Sequence, residues 1–348
     1  MRWSSRVSGG QLQGSPVTAP VLSPSFDQAV LKKHYAMGSV FEIVTYRTNP
    51  TQASQAIDEA FQEIDRLEQL MSIYKPASEL SRVNRTAHLQ AQTVTTDLYQ
   101  VIQQSLYYSE LSEGAFDVTT GPLAERWKAV GRGEQAPSPA EEKKLRSDVG
   151  YRQVELIPPN RIRFHSSRVA VDLGAIGKGY AVDCAAFVLR SHGIECAMIN
   201  SGGSTFYAMG CPPGQSGWLV HLCDPSTHLD PHVLLHGNSV STSQQTPPSL
   251  LGMPSFGHII DAVSGEPFKS TSAVSVVAES ATASDALSTA FLLMGPAKAR
   301  DLVKRLPKLA AVWISPEGPP QTLTNGPEIL MTNVAQMSPQ KIAEQNRV

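Results

Sequence analysis

From Cys196 onward, short β-branched and aromatic runs follow one another with little between them: Cys196–Asn200, Trp218–Cys223, His232–Leu235, Ser239–Ser243, Gly257–Asp261 and Ala273–Val277. Parallel neighbours need a crossover of about a dozen residues or more, usually a helix. These gaps mostly leave no room for one, so the strands should pair antiparallel. The expected class is α+β, with largely antiparallel sheets flanked by helices in one unit spanning residues 29–335.

The first half supplies most of the helices. Ser39–Tyr46 reads as a strand. Between Ala53 and Met71, Ile57, Ala60, Phe61, Ile64 and Leu67 recur at helical spacing, and the stripe should pack on the core. Met71–Asn84 reads as a polar loop broken by Pro76, whose Ser72, Tyr74, Ser78, Glu79 and Asn84 form a polar cluster that could hold a ligand or cap the helix that follows. A second helix spans Thr96–Leu111 with Gly114 as its stop, and Ser138-Pro-Ala-Glu141 has the form of a capping box. Val154–Ile157 and Arg161–His165 form a hairpin, Val169–Leu173 a further strand, and Lys178–His192 a helix closed by Gly193. Near the C-terminus, Ser284–Met294 and a short stretch after Pro296 are helical, followed by a strand at Leu309–Ile314.

With 41% hydrophobic and 17% charged residues and a net charge of −2, the 348-residue chain has no basic excess for nucleic acid. Any phosphate must then be held by local geometry or by a metal. The four cysteines fit no zinc spacing and are expected as free buried thiols, which favours a reducing compartment. Residues 1–28 are Ser/Gly/Pro-rich and read as a mobile leader, with residues 336–348 as a C-terminal tail. No signal peptide, lipid-attachment cysteine or membrane span is read in the sequence, so the expected location is cytoplasmic. A periplasmic one would require a leader missing from the given start.

The chemistry centres on Val171-Asp-Leu-Gly-Ala-Ile-Gly-Lys-Gly-Tyr-Ala-Val-Asp183. Its glycines let backbone groups approach a ligand, and Lys178 adds a mobile positive charge. It is not a Walker A loop: two residues, not four, separate Gly174 from Gly177-Lys178, and no hydroxyl residue follows the lysine. Its glycine spacing also fails the dinucleotide fingerprint. Asp285 and Thr289 sit one turn apart on a helix face, a carboxylate and a hydroxyl suited to Mg²⁺, or else a macrodipole partner and a satisfied core threonine. His258, beside Gly257 at a strand start, could act as a general base or be a hydrogen-bonded strand histidine. Gly202-Gly203 reads as a close-approach loop or a tight turn.

Taken in order, these blocks resemble the ApbE-type FAD:protein FMN transferases. Met37-Gly-Ser39 is similar to the family's opening block, and Met71-Ser-Ile-Tyr74 with Ser78–Asn84 to its flavin-side loop. Gly114-Ala-Phe-Asp117 with Thr119 and Gly121-Pro-Leu123, Asp172–Asp183, Gly202-Gly203, His258-Ile-Ile-Asp261 and Asp285-Ala-Leu-Ser-Thr289 complete the likeness. The resemblance implies Mg²⁺-dependent cleavage of the FAD pyrophosphate, with FMN passing to a Thr or Ser hydroxyl of a target flavoprotein and AMP leaving. It implies metal ligands at Asp285, Thr289 and the Gly177 carbonyl, His258 as base, and Lys178 near the phosphates. Met37, Ser72, Tyr74, Glu79, Asp117 and Asp183 would line or support the FAD site. Val118, Gly177, Ser204 and the Ala262-Val263-Ser264 run depart from the family pattern. Two other readings stay open: an FAD pyrophosphatase in which water replaces the protein hydroxyl, and a non-catalytic flavin-binding protein.

Overall fold

The computed structural model describes residues 29–46, 49–245 and 259–333. Its centre is an eight-stranded sheet built from β1 (Ala29–Ala36), β2 (Ser39–Tyr46), β6 (Ala197–Ser201), β7 (Thr205–Met209), β10 (Ser239–Gln244), β11 (Ala273–Ala278), β12 (Leu309–Ser315) and β13 (Gly318–Asn325), adjacent in that order. Every pairing in it is antiparallel, as the short connections require.

The inner strands β6, β7, β11 and β12 are buried on both faces. Along β12, Leu309, Ala311 and Trp313 join the main core, while Ala310, Val312 and Ile314 join a second one. Period-two alternation thus sends consecutive apolar residues to opposite sides, which is why the strand reads as an unbroken apolar run. On the first face lie α1 (Pro50–Met71), α3 (Thr96–Leu111), α6 (Gly177–Ser191) and α7 (Ala281–Arg305). The second face packs on a three-stranded sheet, β8 (Trp218–His221), β9 (Leu229–Leu235) and β14 (Leu330–Asn333), through Trp218, Val220, Val233 and Leu235. A third small sheet holds β3 (Gln92–Thr93), β4 (Val154–Ile157) and β5 (Arg161–Phe164). No described helix is long and apolar enough to cross a membrane.

Several expectations change. The first part of the Met71–Asn84 loop remains a loop, but α2 (Glu79–Thr86) follows it, capped by Ser78, whose Oγ accepts from the Ser81 N–H. Only Leu80 and Val83 face inward among its apolar residues, too short a stripe to announce a helix. A second short helix, α4 (Gly121–Gly131), precedes the expected capping-box helix α5 (Pro139–Ser147). Of the strand expected at Gly257–Asp261, the described part makes a single bridge, Ile260 to Pro267. The expected leader and tail lie outside the described residues, as does His258.

Val169–Leu173, expected as a strand, joins no sheet. A side chain takes the place of a neighbouring strand: Asn84 Oδ1 accepts from the Val171 N–H, and Asn84 Nδ2 donates to the Val171 carbonyl, both at 2.9 Å. Asp172 N–H then donates to the Val118 carbonyl at 2.7 Å. Asn84→Ala should strip both partners from a residue only 1% exposed. We expect a loss of about 2 kcal/mol or more, from two orphaned backbone groups. Urea unfolding reads it as a lower midpoint at constant slope; an unchanged midpoint would rule out this bracing role.

Candidate active site

The glycine loop and α7 are built to touch. α7 starts at Ala281 with Ser280 as its cap, three residues earlier than the sequence suggests, so Asp285 sits in the second turn. Asp183, on α6, accepts from the N–H groups of Ala281 and Thr282, at 2.8 Å each, and from the Thr282 hydroxyl. A carboxylate at a helix N-terminus satisfies orphan donors and complements the macrodipole. Asp183 therefore holds α7 in place; it does not line the cleft described below.

One turn earlier on α6, the Gly179 N–H donates to Asp285 Oδ2 at 2.9 Å. A Cβ at Gly179 would stand 2.3 Å from the Ala281 carbonyl oxygen, so only glycine allows this crossing. Asp285 is 6% exposed and has no lysine or arginine partner, and its Oδ1 makes no hydrogen bond among the described residues. Thr289 follows one turn on, its hydroxyl 3.1 Å from Ser243 Oγ on β10. Ser243 also bonds Ser288, while Ser239 and Ser241 bond Ser284, so a ladder of hydroxyls fixes the α7 face against β10.

Asp285, Thr289, Lys178, Asp117 and Tyr74 come together around one cleft of about 630 Å³, inside the roughly 300–1,000 Å³ of small-molecule sites. Gly202-Gly203 also line it, as does Asp172, whose Oδ1 accepts from the Gly174 N–H. The two glycines turn the β6–β7 hairpin with positive φ of 61° and 72°. Of the loop itself, Gly174, Ala175 and Lys178 face the cleft, whereas Gly177 is buried, its N–H bonded to the Leu173 carbonyl at the start of α6. Ile259, the first described residue after His258, lines the cleft.

Other expected residues act from behind. Ser72 Oγ accepts from the Tyr74 N–H and so orients the exposed Tyr74. Glu79 ties α2 to the start of α3 by accepting from the Thr95 N–H and hydroxyl. Met37 sits at positive φ, 50°, in the two-residue turn between β1 and β2, packed on the main core. Its neighbour Ser39 closely approaches Gly202.

Asp117 takes three hydrogen bonds, from the Thr119 N–H and hydroxyl and the Tyr151 N–H. Burial outweighs them and pushes its carboxyl above the ordinary 3.8. The folded chain thus holds this proton more tightly than the unfolded one. The stability it contributes is full below 3.8 and is lost as pH rises through the raised folded value. Relative to Asp117→Asn, which cannot titrate, the wild type should lose ground across that acid range and run parallel above it. A relative gain with rising pH would contradict the assignment.

Lys128 escaped the sequence reading because α4 did. Its Nζ lies 3.4 Å from Tyr74 Oη and 5.7 Å from the centre of that ring, putting a second cation at the cleft beside Lys178. The cysteines are free and partly buried, and burial pushes the Cys184 thiol up to about 12, the Cys196 thiol up to about 11 and the Cys223 thiol upward, so these three are not poised as nucleophiles.

The donor set fits a hard cation. Asp285 and Thr289 offer oxygens, the adjoining loop offers carbonyls, and the unpaired Asp285 charge asks for a counter-ion. The model of the ApbE family matches residues 37–313. The FAD:protein FMN transferase of Treponema pallidum is 26% identical over 302 residues, 81% of this chain and 83% of that protein. The protein of the same name from Vibrio cholerae is 30% identical over 250 residues, 67% and 72% of the two chains. Among solved structures, the Thermotoga maritima ApbE protein superposes with a TM-score of 0.72 at 26% identity, over 84% of this chain and 96% of its own. The Pseudomonas stutzeri flavinyl transferase ApbE, in its apo form, gives 0.73 at 25% identity, over 86% and 97%. With the family's sequence match spanning most of the chain and its fold surrounding the cleft that the glycine loop and α7 build, the chain belongs to the ApbE family.

Proposed function

We propose that this chain transfers FMN from FAD to a Thr or Ser hydroxyl of a target flavoprotein, releasing AMP, in a Mg²⁺-dependent reaction. The observation that carries the reading is the meeting of Asp285 and Thr289 with the Gly174–Gly179 loop at one cleft. The names of the relatives support the flavin chemistry.

Asp285, Thr289 and the Gly177 carbonyl would hold Mg²⁺, which when bound neutralises pyrophosphate charge and polarises phosphorus. Lys178 and Lys128 would hold phosphate oxygens, and Tyr74 would offer an aromatic face at the mouth. His258 is the proposed base. The acceptor oxygen forms a bond to the FMN phosphorus, the bond from that phosphorus to the bridging oxygen breaks, and AMP leaves with the electron pair. The acceptor proton goes to the imidazole. Gly179 and Asp183 keep α7 seated, so that Asp285 is positioned before substrate arrives.

Chromatography of the products with FAD, Mg²⁺ and an acceptor domain tests the reading. AMP formed only when the acceptor is present supports transfer. AMP and free FMN formed equally without it would mean hydrolysis instead. FAD recovered intact in both samples would sink both enzymatic readings in favour of flavin binding alone.

A further inference from the structure

On β8 and β9 the apolar residues Trp218, Val220, Val233 and Leu235 face the second core. Alternation puts His221 and His232 on the opposite face, and they are direct cross-strand neighbours. Asp230, two residues before His232, shares that face. His221 Nδ1 lies 2.6 Å from Asp230 Oδ1, while His232 Nδ1 lies 2.9 Å from the Asp230 carbonyl oxygen and 3.9 Å from Asp230 Oδ2, which leaves His232 Nε2 as its ligating nitrogen. One donor atom from each residue falls within 4.8 Å of the other two.

These side chains are only 12%, 15% and 17% exposed. Among the described residues, Asp230 has no lysine or arginine partner. His221 Nε2 is buried with no hydrogen-bond partner among the described residues. Burying a polar nitrogen unpaired is unfavourable, and simple pairing of His221 with Asp230 leaves that cost in place.

We propose that His221, Asp230 and His232 form a second cation site, selective for a first-row transition ion of the Zn²⁺ kind. Two imidazoles and one carboxylate suit Zn²⁺, Ni²⁺ or Cu²⁺, whereas Mg²⁺ prefers oxygen donors. Three protein ligands with a fourth position left to water is a stable arrangement for zinc. The short hairpin pairing holds the two histidines in register, so binding requires side-chain adjustment and not a new backbone. A metal here would staple β8 to β9. Cys223, two residues beyond His221, lines the cleft, so the staple would brace one cleft wall.

Calorimetric titration of the chelator-stripped full chain with Zn²⁺, in excess Mg²⁺ to fill the Asp285 site, tests the proposal. One saturable equivalent is expected, together with a Zn²⁺-dependent rise in Tm that Mg²⁺ does not reproduce. His232→Ala, which leaves the His221–Asp230 pair intact, should weaken Zn²⁺ binding at least about a hundredfold, since even outer-shell partners are worth about 10–100-fold. Asp230→Asn is isosteric, can still bond His221, and should weaken binding similarly if the alanine variant folds poorly. Asp285→Asn should bind Zn²⁺ as the wild type does. Absence of a saturable equivalent, undiminished binding by both hairpin variants, or loss of binding in Asp285→Asn would each overturn the site.

Discussion

Gly179→Ala is expected to lower stability by about 2–3 kcal/mol, the upper part of the usual range for overpacking, and to abolish turnover at the same time. Its Cβ would lie 2.3 Å and 2.7 Å from the Ala281 carbonyl oxygen and carbon, and 2.8 Å from Asp285 Cβ. Two of these are backbone atoms of the first turn of α7, which no rotamer change can move aside. α6 and α7 must separate, the Gly179–Asp285 hydrogen bond lengthens, and the Asp183 contacts to Ala281 and Thr282 are strained with it. The control lies two residues away. A Cβ at Gly177 would meet only Leu173 Cβ at 3.6 Å, ordinary contact, and Gly177 has no positive φ. Gly177→Ala should therefore be neutral or stabilising by about 0.4–1 kcal/mol through the unfolded chain. Thermal unfolding of the two variants side by side decides the matter. Equal effects would mean that the close α6–α7 crossing is not what the glycines serve.

Asp285→Asn should leave the fold standing while removing the chemistry. The amide oxygen can still accept the Gly179 N–H, so α7 keeps its anchor, but the unpaired charge is gone. Losing the cation removes several kcal/mol of stabilisation, which is about a 10²–10³-fold fall in kcat/KM. Chelator should bring the wild type down to a similar floor and leave the variant nearly unaffected. A variant that turns over at the wild-type rate, or remains as chelator-sensitive as the wild type, would reject the ligand role.

Much of the architecture was legible because its determinants are local. The i, i+4 stripe of α1, the Gly114 stop after α3, the Ser138 cap and the Gly295-Pro296 break all act within a turn or two of themselves. Gly295 indeed kinks α7 at φ 70°. Strand pairing followed from chain length between strands. What escaped depends on distant partners or on edges. β13 carries Pro319 and Pro320 and stays largely exposed, as an edge strand tolerates. β7 was hidden behind the Gly202-Gly203 turn. Val169–Leu173 looks like a strand but is satisfied by Asn84, 87 residues earlier.

The candidate site shows the same division. Asp285, Thr289 and Lys178 were named from spacing and loop chemistry, Tyr74 and Asp117 from the family resemblance, and the fold brings all five to one cleft. Lys128 carried no motif and needed α4 to be placed. Asp183, Ser72 and Glu79 bond to α7, Tyr74 and α3, contacts that spacing alone does not reveal. The glycine loop reads differently once folded: one glycine, Gly179, is required by packing against α7.

Intact-mass analysis of an acceptor flavoprotein domain, incubated with this chain, FAD and Mg²⁺, tests the central claim most directly. The prediction is a gain of one FMN moiety, mapped to a single Thr or Ser side chain, matched by one equivalent of AMP and lost with chelator or in Asp285→Asn. An acceptor of unchanged mass while FAD is consumed, or one modified at the wild-type rate by Asp285→Asn, would contradict it.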